Sequence, residues 1–231
     1  MVEVLVFGDS ITYGAWDNNG GWVQRLREPI DIKNLVDADV AYFVYNLGVV
    51  DETSTGILKR LELEMAARRY VNEEQERIVL FNFGLNDSAL IKEKEHRVPK
   101  KQFEENLIKL IELAKKDADK VIFIGPTPVD ESRANPTAWD PDKGYQNKYV
   151  REYNEIIQRV CKIKNIPFLE VFDKMLRLEY TSLLEDGLHL SPAGHLVLYE
   201  FVRKFLEDNK VINFSPEKEV GSVHRPHSKK G

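Results

Sequence analysis

Five short apolar runs, rich in β-branched and aromatic residues, recur along the chain. They are VEVLVF from Val2, VAYFVYNL from Val40, RIVLFNF from Arg77, KVIFIG from Lys120 and IPFLEVF from Ile166. Each stops at glycine or an acidic residue and is too short for a helix, so each reads as a buried strand. Between them lie longer stretches with apolar residues three and four positions apart: WVQRLREPIDIKNLV, TGILKRLELEMAARRY, KQFEENLIKLIELAKK and YVREYNEIIQRVCKIK. These read as amphipathic helices. A last helix is expected over PAGHLVLYEFVRKFLED, with Pro192 suited to its first turn. Strands alternating with helices predict right-handed crossovers and a mostly parallel sheet covered on both faces. The expected fold is therefore a three-layer α/β/α sandwich on a five-stranded sheet, one domain over residues 1–212. Residues 213–231 are polar and aperiodic and read as a disordered C-terminal tail.

In such a sheet, ligands bind outside the carboxyl ends of the strands, so the residues that follow each run matter most. FGDSITYG follows the first run. It matches neither the Walker nor the dinucleotide glycine pattern, which disfavours a phosphate cradle. Ser10 at this strand-to-helix turn either caps the helix or is held up for reaction, and Asp9 reads as a brace for the turn. YNLGVV places Gly48 past the second run, either for a permissive backbone angle or to bring its N–H close to a ligand oxygen. FNFGLNDS places Asn86 after the third, as a turn residue or as an amide donor facing a pocket. In LLEDGLHLSPAGH, Asp186 and His189 are three apart, so one turn can aim both side chains the same way. Ser191 reads as a helix cap and His195 as a structural residue of the helix it begins.

Composition narrows the field. At 231 residues with 31% charged and 42% hydrophobic positions, the chain can bury a full core. A formal net charge of -5 argues against nucleic acid as a partner. The sequence carries no run of apolar residues long enough to span a bilayer and no secretory pattern at its start, so membrane insertion is not expected and a cytoplasmic location is. The single cysteine, Cys161, continues the helical stripe of Tyr153, Ile156, Ile157 and Val160 and reads as a core thiol. No cluster of residues suggests a metal site or an organic cofactor.

Taken together, the four segments supply a hydroxyl, a base, a group to orient the base, and two neutral donors. That is a set suited to acyl transfer. The same segments, GDSITYG, NLGVVDETS, GLND and DGLH, resemble the blocks of the SGNH hydrolases, also called GDSL-type esterases and lipases. The resemblance spans about residues 1–208. The chain departs from it at Val50 and Asp51, where many relatives carry a small or polar pair. It implies a flavodoxin-like sheet, Ser10 as nucleophile with His189 and Asp186 as partners, and an oxyanion hole formed by Ser10, Gly48 and Asn86. No cofactor or metal is implied.

The expected function is hydrolysis of small, short-chain acyl esters of the acetyl type through an acyl-enzyme. Carbohydrate O-deacetylation, thioester cleavage and acyl transfer would use the same residues; a non-catalytic ligand-binding protein is the remaining rival. The expected partner is a small-molecule ester. Substrate choice falls to two loops, SALIKEKEHRVP with His96, and the long PTPVDESRANPTAWDPDKGYQNKY with Trp139 and Tyr145. Trp139 either lines the substrate pocket or packs its loop onto the body.

Overall fold

The computed structural model describes residues 1–36, 40–69 and 75–214. From residue 215 onward the expected tail lies outside the described residues. In chain order the elements are β1 (Val2–Gly8), α1 (Ser10–Tyr13), α2 (Gly21–Val36), β2 (Tyr42–Gly48), α3 (Ser54–Ala67), β3 (Glu76–Asn82), α4 (Leu85–Ser88), β4 (Leu90–Ile91) and β5 (Glu95–His96). There follow α5 (Lys100–Lys115), β6 (Lys120–Ile124), α6 (Glu131–Ala134), β7 (Lys143–Gly144), α7 (Asn147–Lys164), β8 (Phe168–Leu169), α8 (Phe172–Leu176) and α9 (Pro192–Asp208).

The strand residues are apolar at nearly every position because both faces of the sheet are covered. Val4 and Val6 of β1, with Ile78 and Leu80 of β3, pack against Trp22, Leu26 and Ile30 of α2 and Leu198 and Val202 of α9. The intervening Leu5, Phe7, Val79 and Phe81 pack on the other side against Ile57 and Leu61 of α3, Phe103 and Leu107 of α5, and Tyr153 and Ile157 of α7. The period of two thus divides each strand between two cores, which makes the three layers. One polar pair interrupts the pattern. Glu3 and Arg77 face each other across β1 and β3 near their amino ends, with a 3.0 Å ion pair and side chains 0% and 3% exposed.

The five-stranded sheet has the order β2-β1-β3-β6-β8, and every pairing in it is parallel. This is the flavodoxin-like order. The chain leaves β1 for β2 on one side and returns through β3 on the other, which opens a crevice at the carboxyl ends of β1 and β3. The last strand is shorter than its apolar run. Only Phe168 and Leu169 pair with β6, and Phe172 already begins α8. A second, antiparallel sheet of β5-β4-β7 was not expected. It ties the loop after β3 to the loop after β6, and its two-residue strands are too short to show a period. Among the described residues no helix is long and apolar enough to cross a membrane.

Candidate active site

The crevice is built from the turn that ends β1. A Cβ on Gly8 would fall 2.1 Å from Thr12 Oγ1 and 2.3 Å from Asn82 O, so only glycine lets the chain fold back here. Asp9 caps α1 by accepting the Ile11 N–H at 2.9 Å. Burial pushes its carboxyl up to about 6, against the pull of that N–H and of nearby His189. Ser10 is the first residue of α1, and Gly14 closes the helix in the left-handed region with φ 92°. Ser10 is consequently held at the sheet edge, 5% exposed.

The other end of the chain supplies the facing groups. Asp186 Oδ1 accepts the N–H groups of Leu188 at 3.0 Å and His189 at 2.8 Å, a local turn that Gly187 completes with φ 92°. Asp186 Oδ2 then lies 2.7 Å from His189 Nδ1, and His189 Nε2 lies 3.0 Å from Ser10 Oγ. Burial opposes ionisation of Asp186, but the His189 ring and the two backbone N–H groups prevail and hold the carboxyl well below the usual range. With Nδ1 against a carboxylate, the ring proton belongs on Nδ1, leaving Nε2 free to accept from the serine. The three predicted side chains are brought together in one line.

Asn86, in α4, is 4% exposed. Its Oδ1 accepts the Tyr145 hydroxyl at 2.7 Å, and its Nδ2 donates to Glu52 O at 3.0 Å. The amide therefore has a fixed orientation and one N–H left over. Asp87 does not face the crevice. Its carboxylate takes the Ser54 N–H at 3.0 and 3.2 Å and the Ser54 hydroxyl at 2.5 Å, pinning the start of α3. Burial pushes its carboxyl up to about 7 despite Ser54.

Gly48 corrects the sequence reading. Its φ is not positive, so it is not there for a permissive angle. Its N–H donates to Asn46 Oδ1 at 2.9 Å, and Asn46 Nδ2 in turn holds Thr12 O at 2.9 Å. A Cβ there would meet Tyr13 N at 2.2 Å, so Gly48 is glycine because α1 packs directly on the end of β2. The departure at Val50 and Asp51 shapes the loop beyond it. Asp51 takes a left-handed φ of 63°, and its carboxylate is gripped by Arg97 at 2.6 and 2.8 Å and by Lys143.

His195, Ser191 and Cys161 fall where expected. His195 is fully buried, with Nε2 3.2 Å from Ala15 O. Ser191 caps α9 by accepting the Gly194 N–H. Burial pushes the Cys161 thiol up to about 12. His96 Nδ1 meets Ser88 O at 3.0 Å. Trp139 is half exposed, its ring centroid 5.7 Å from that of His189. With Tyr13, Trp16 and Val50 it lines a cleft of about 750 Å³ that opens onto His189. Trp16 is what sequence reasoning missed at this site, together with the bond that ties Tyr145, expected only in a substrate-choice loop, to Asn86. Trp16 sits in no block that stands out, although it follows GDSITYG by a single residue. Among the described residues no group of three or more His, Cys, Asp or Glu could hold a metal ion.

Residues 6–197 match the model of the GDSL-like Lipase/Acylhydrolase family. The human isoamyl acetate-hydrolyzing esterase 1 homolog is 30% identical, over 89% of this chain and 81% of its own. An uncharacterized Bacillus subtilis lipoprotein, YqeF, is 26% identical over 87% and 88%. The crystal structure of the lipase/acylhydrolase from Enterococcus faecalis superposes with a TM-score of 0.69 at 26% identity, covering 90% of this chain and 97% of that one. A fold with this strand order, a family match across most of the chain and esterase relatives along its length lead to one assignment: the chain belongs to the GDSL-like lipase/acylhydrolase family and is a carboxylic ester hydrolase.

Proposed function

We propose that the protein cleaves small, short-chain acyl esters, acetates foremost, with Ser10 as nucleophile, His189 as base and Asp186 as the group that orients it. The observation that carries this reading is the unbroken line from Asp186 Oδ2 through His189 to Ser10 Oγ, at 2.7 and 3.0 Å. A serine hydroxyl is a weak nucleophile at neutral pH and needs an adjacent base. As Ser10 Oγ bonds to the ester carbonyl carbon, its proton passes to His189 Nε2. The carbonyl π electrons move onto oxygen, and that charge meets the Ser10 backbone N–H and the unspent Asn86 Nδ2–H. Collapse of the tetrahedral species expels the alcohol, which takes the proton from Nε2. Water then repeats the sequence on the acyl-enzyme and frees the acid. Asp186 keeps the tautomer and stabilises the imidazolium without itself being protonated.

Acetates are favoured because the human relative is named for an acetate ester. The cleft beside His189 is rimmed by Tyr13, Trp16, Val50 and Trp139, which offers an uncharged wall to an alcohol or acyl group. A second reading, deacetylation of a sugar, is favoured by the half-exposed indoles of Trp16 and Trp139, since the apolar face of a pyranose packs on such rings. A p-nitrophenyl ester series from acetate to palmitate, assayed on wild type and Ser10→Ala, tests the proposal. Turnover should be highest at the short end and vanish in Ser10→Ala. A maximum at palmitate, or a fully active Ser10→Ala, would refute it. Acetylated sugars assayed beside simple acetates separate the two readings.

A further inference from the structure

Trp16 occupies the turn between α1 and α2 in a conformation that bulky residues rarely adopt. Its φ is 66°, and the residue is 60% exposed. Both sides of that turn are anchored. The Ala15 N–H reaches Ser10 O at 3.0 Å, and the Asp17 N–H reaches Gly14 O at 3.2 Å. The Asp17 carboxylate collects the N–H groups of Asn19 and Gly21 together with Arg25. A strained residue on a braced turn points to a task for its side chain.

The side chain reaches the reacting line from its open side. Trp16 Nε1 lies 2.7 Å from Asp186 Oδ2 and 2.9 Å from His189 Nδ1. Since Nδ1 is itself 2.7 Å from Oδ2 and carries a proton, it cannot accept, and the indole N–H belongs to the carboxylate. Asp186 thus receives four donors: the Leu188 and His189 N–H groups on Oδ1, and His189 Nδ1–H and Trp16 Nε1–H on Oδ2. The Asp186 side chain is 26% exposed. The indole stands perpendicular to the imidazole, at 83° and 5.5 Å between centroids, over the Asp186–His189 hydrogen bond. The other ionisable groups near the imidazole are Asp9 beneath Ser10 and His195 on α9. Among the described residues neither donates to Asp186.

We propose that Trp16 is a positioning residue for ester cleavage, whose indole N–H locks the Asp186 carboxylate onto His189 and whose ring keeps water from that hydrogen bond. The inference rests on the reading of Ser10, His189 and Asp186 given above. A carboxylate oxygen held by two donors from two chain segments cannot turn away from the imidazole without breaking both bonds. Without Trp16, water would take its place, Asp186 would rotate, and the Nδ1–H tautomer would lose its advantage.

Trp16→Phe keeps a ring and removes the donor, while Trp16→Ala removes both. Two readouts separate positioning from simple lining of the cleft. Steady-state kinetics on p-nitrophenyl acetate should show Trp16→Phe with kcat about tenfold lower and KM within about twofold of wild type. Ring-nitrogen shifts of isotope-labelled histidine, with His189 assigned by its loss in His189→Gln, report the tautomer in the resting protein. Wild type should show Nδ1–H, and both variants should move toward the Nε2–H form. Unmoved His189 shifts in both variants, or an unchanged kcat in both, would overturn the proposal. The shifts need no substrate. A tautomer that responds to Trp16 without turnover of any ester would count against ester cleavage alone, and turnover with an indifferent tautomer against Trp16 alone.

Discussion

The Tyr145 hydroxyl donates to Asn86 Oδ1 at 2.7 Å, joining a loop residue beyond β6 to the turn after β3. Tyr145 is 1% exposed, and burial holds its phenol well above the ordinary range, so it stays a donor at any working pH. Since Glu52 O takes one amide N–H on the other side, the side chain of Asn86 has one permitted orientation. Removing the hydroxyl should therefore act through Asn86. Asn86→Ala is expected to cost about 10²–10³ in kcat, as for loss of one oxyanion donor. Tyr145→Phe should cost about tenfold, with KM little changed. In the double variant the Tyr145→Phe effect should disappear. Additive losses in kcat would instead mean that Tyr145 acts independently of Asn86.

Two buried carboxyls give stability a pH dependence of unusual sign. Burial raises Asp9 to about 6 and Asp87 to about 7, from an unfolded value of 3.8. A raised folded value means that the native state holds the proton more tightly. Their contribution is complete below pH 4 and is lost as pH rises through about 6 and 7. Asp186 runs the other way: its carboxyl is depressed, so its contribution is present above pH 4 and lost on acidification. Thermal melts from pH 5 to pH 8 should show wild type losing stability across that interval, and Asp87→Asn should flatten the loss. A wild-type curve that rises throughout would contradict these directions.

The Glu3–Arg77 pair lies at the amino ends of β1 and β3, opposite the edge that carries Ser10. With both side chains nearly inaccessible, removing Arg77 strands the Glu3 charge, whereas removing Glu3 leaves Arg77 its bonds to Asp117 and Met65 O. Arg77→Ala should lower stability by about 3–5 kcal/mol, and Glu3→Ala by less. Denaturant titration measures this, and kcat of the folded fraction should stay at the wild-type value. Variants as stable as wild type would show that the ion pair contributes nothing.

Much of this architecture can be read from the chain because strands buried on both faces are almost wholly apolar. That is how Val2–Phe7 and Arg77–Phe83 stand out, and why the carboxyl-edge segments could be located in advance. The Asp186–His189 turn was equally legible, since its hydrogen bonds span three residues. What escaped depends on contacts without local periodicity. The two-residue strands β4, β5 and β7 have no pattern to detect. The bond from the Gly48 N–H to the Asn46 side chain, two residues earlier, has no pattern to foretell it either. Trp16 meets Asp186 across 170 residues, and nothing near Trp16 in the sequence announces that meeting.

Covalent capture of Ser10 tests the proposed chemistry most directly. The protein is treated with a fluorophosphonate, which phosphonylates an activated serine and leaves fluoride, and is then digested and read by mass spectrometry. One adduct per chain is expected, on the peptide containing Ser10, with labelling greatly slowed in His189→Gln and absent in Ser10→Ala. An adduct on any other serine, or equal labelling of Ser10 in wild type and His189→Gln, would contradict a nucleophile activated by that imidazole.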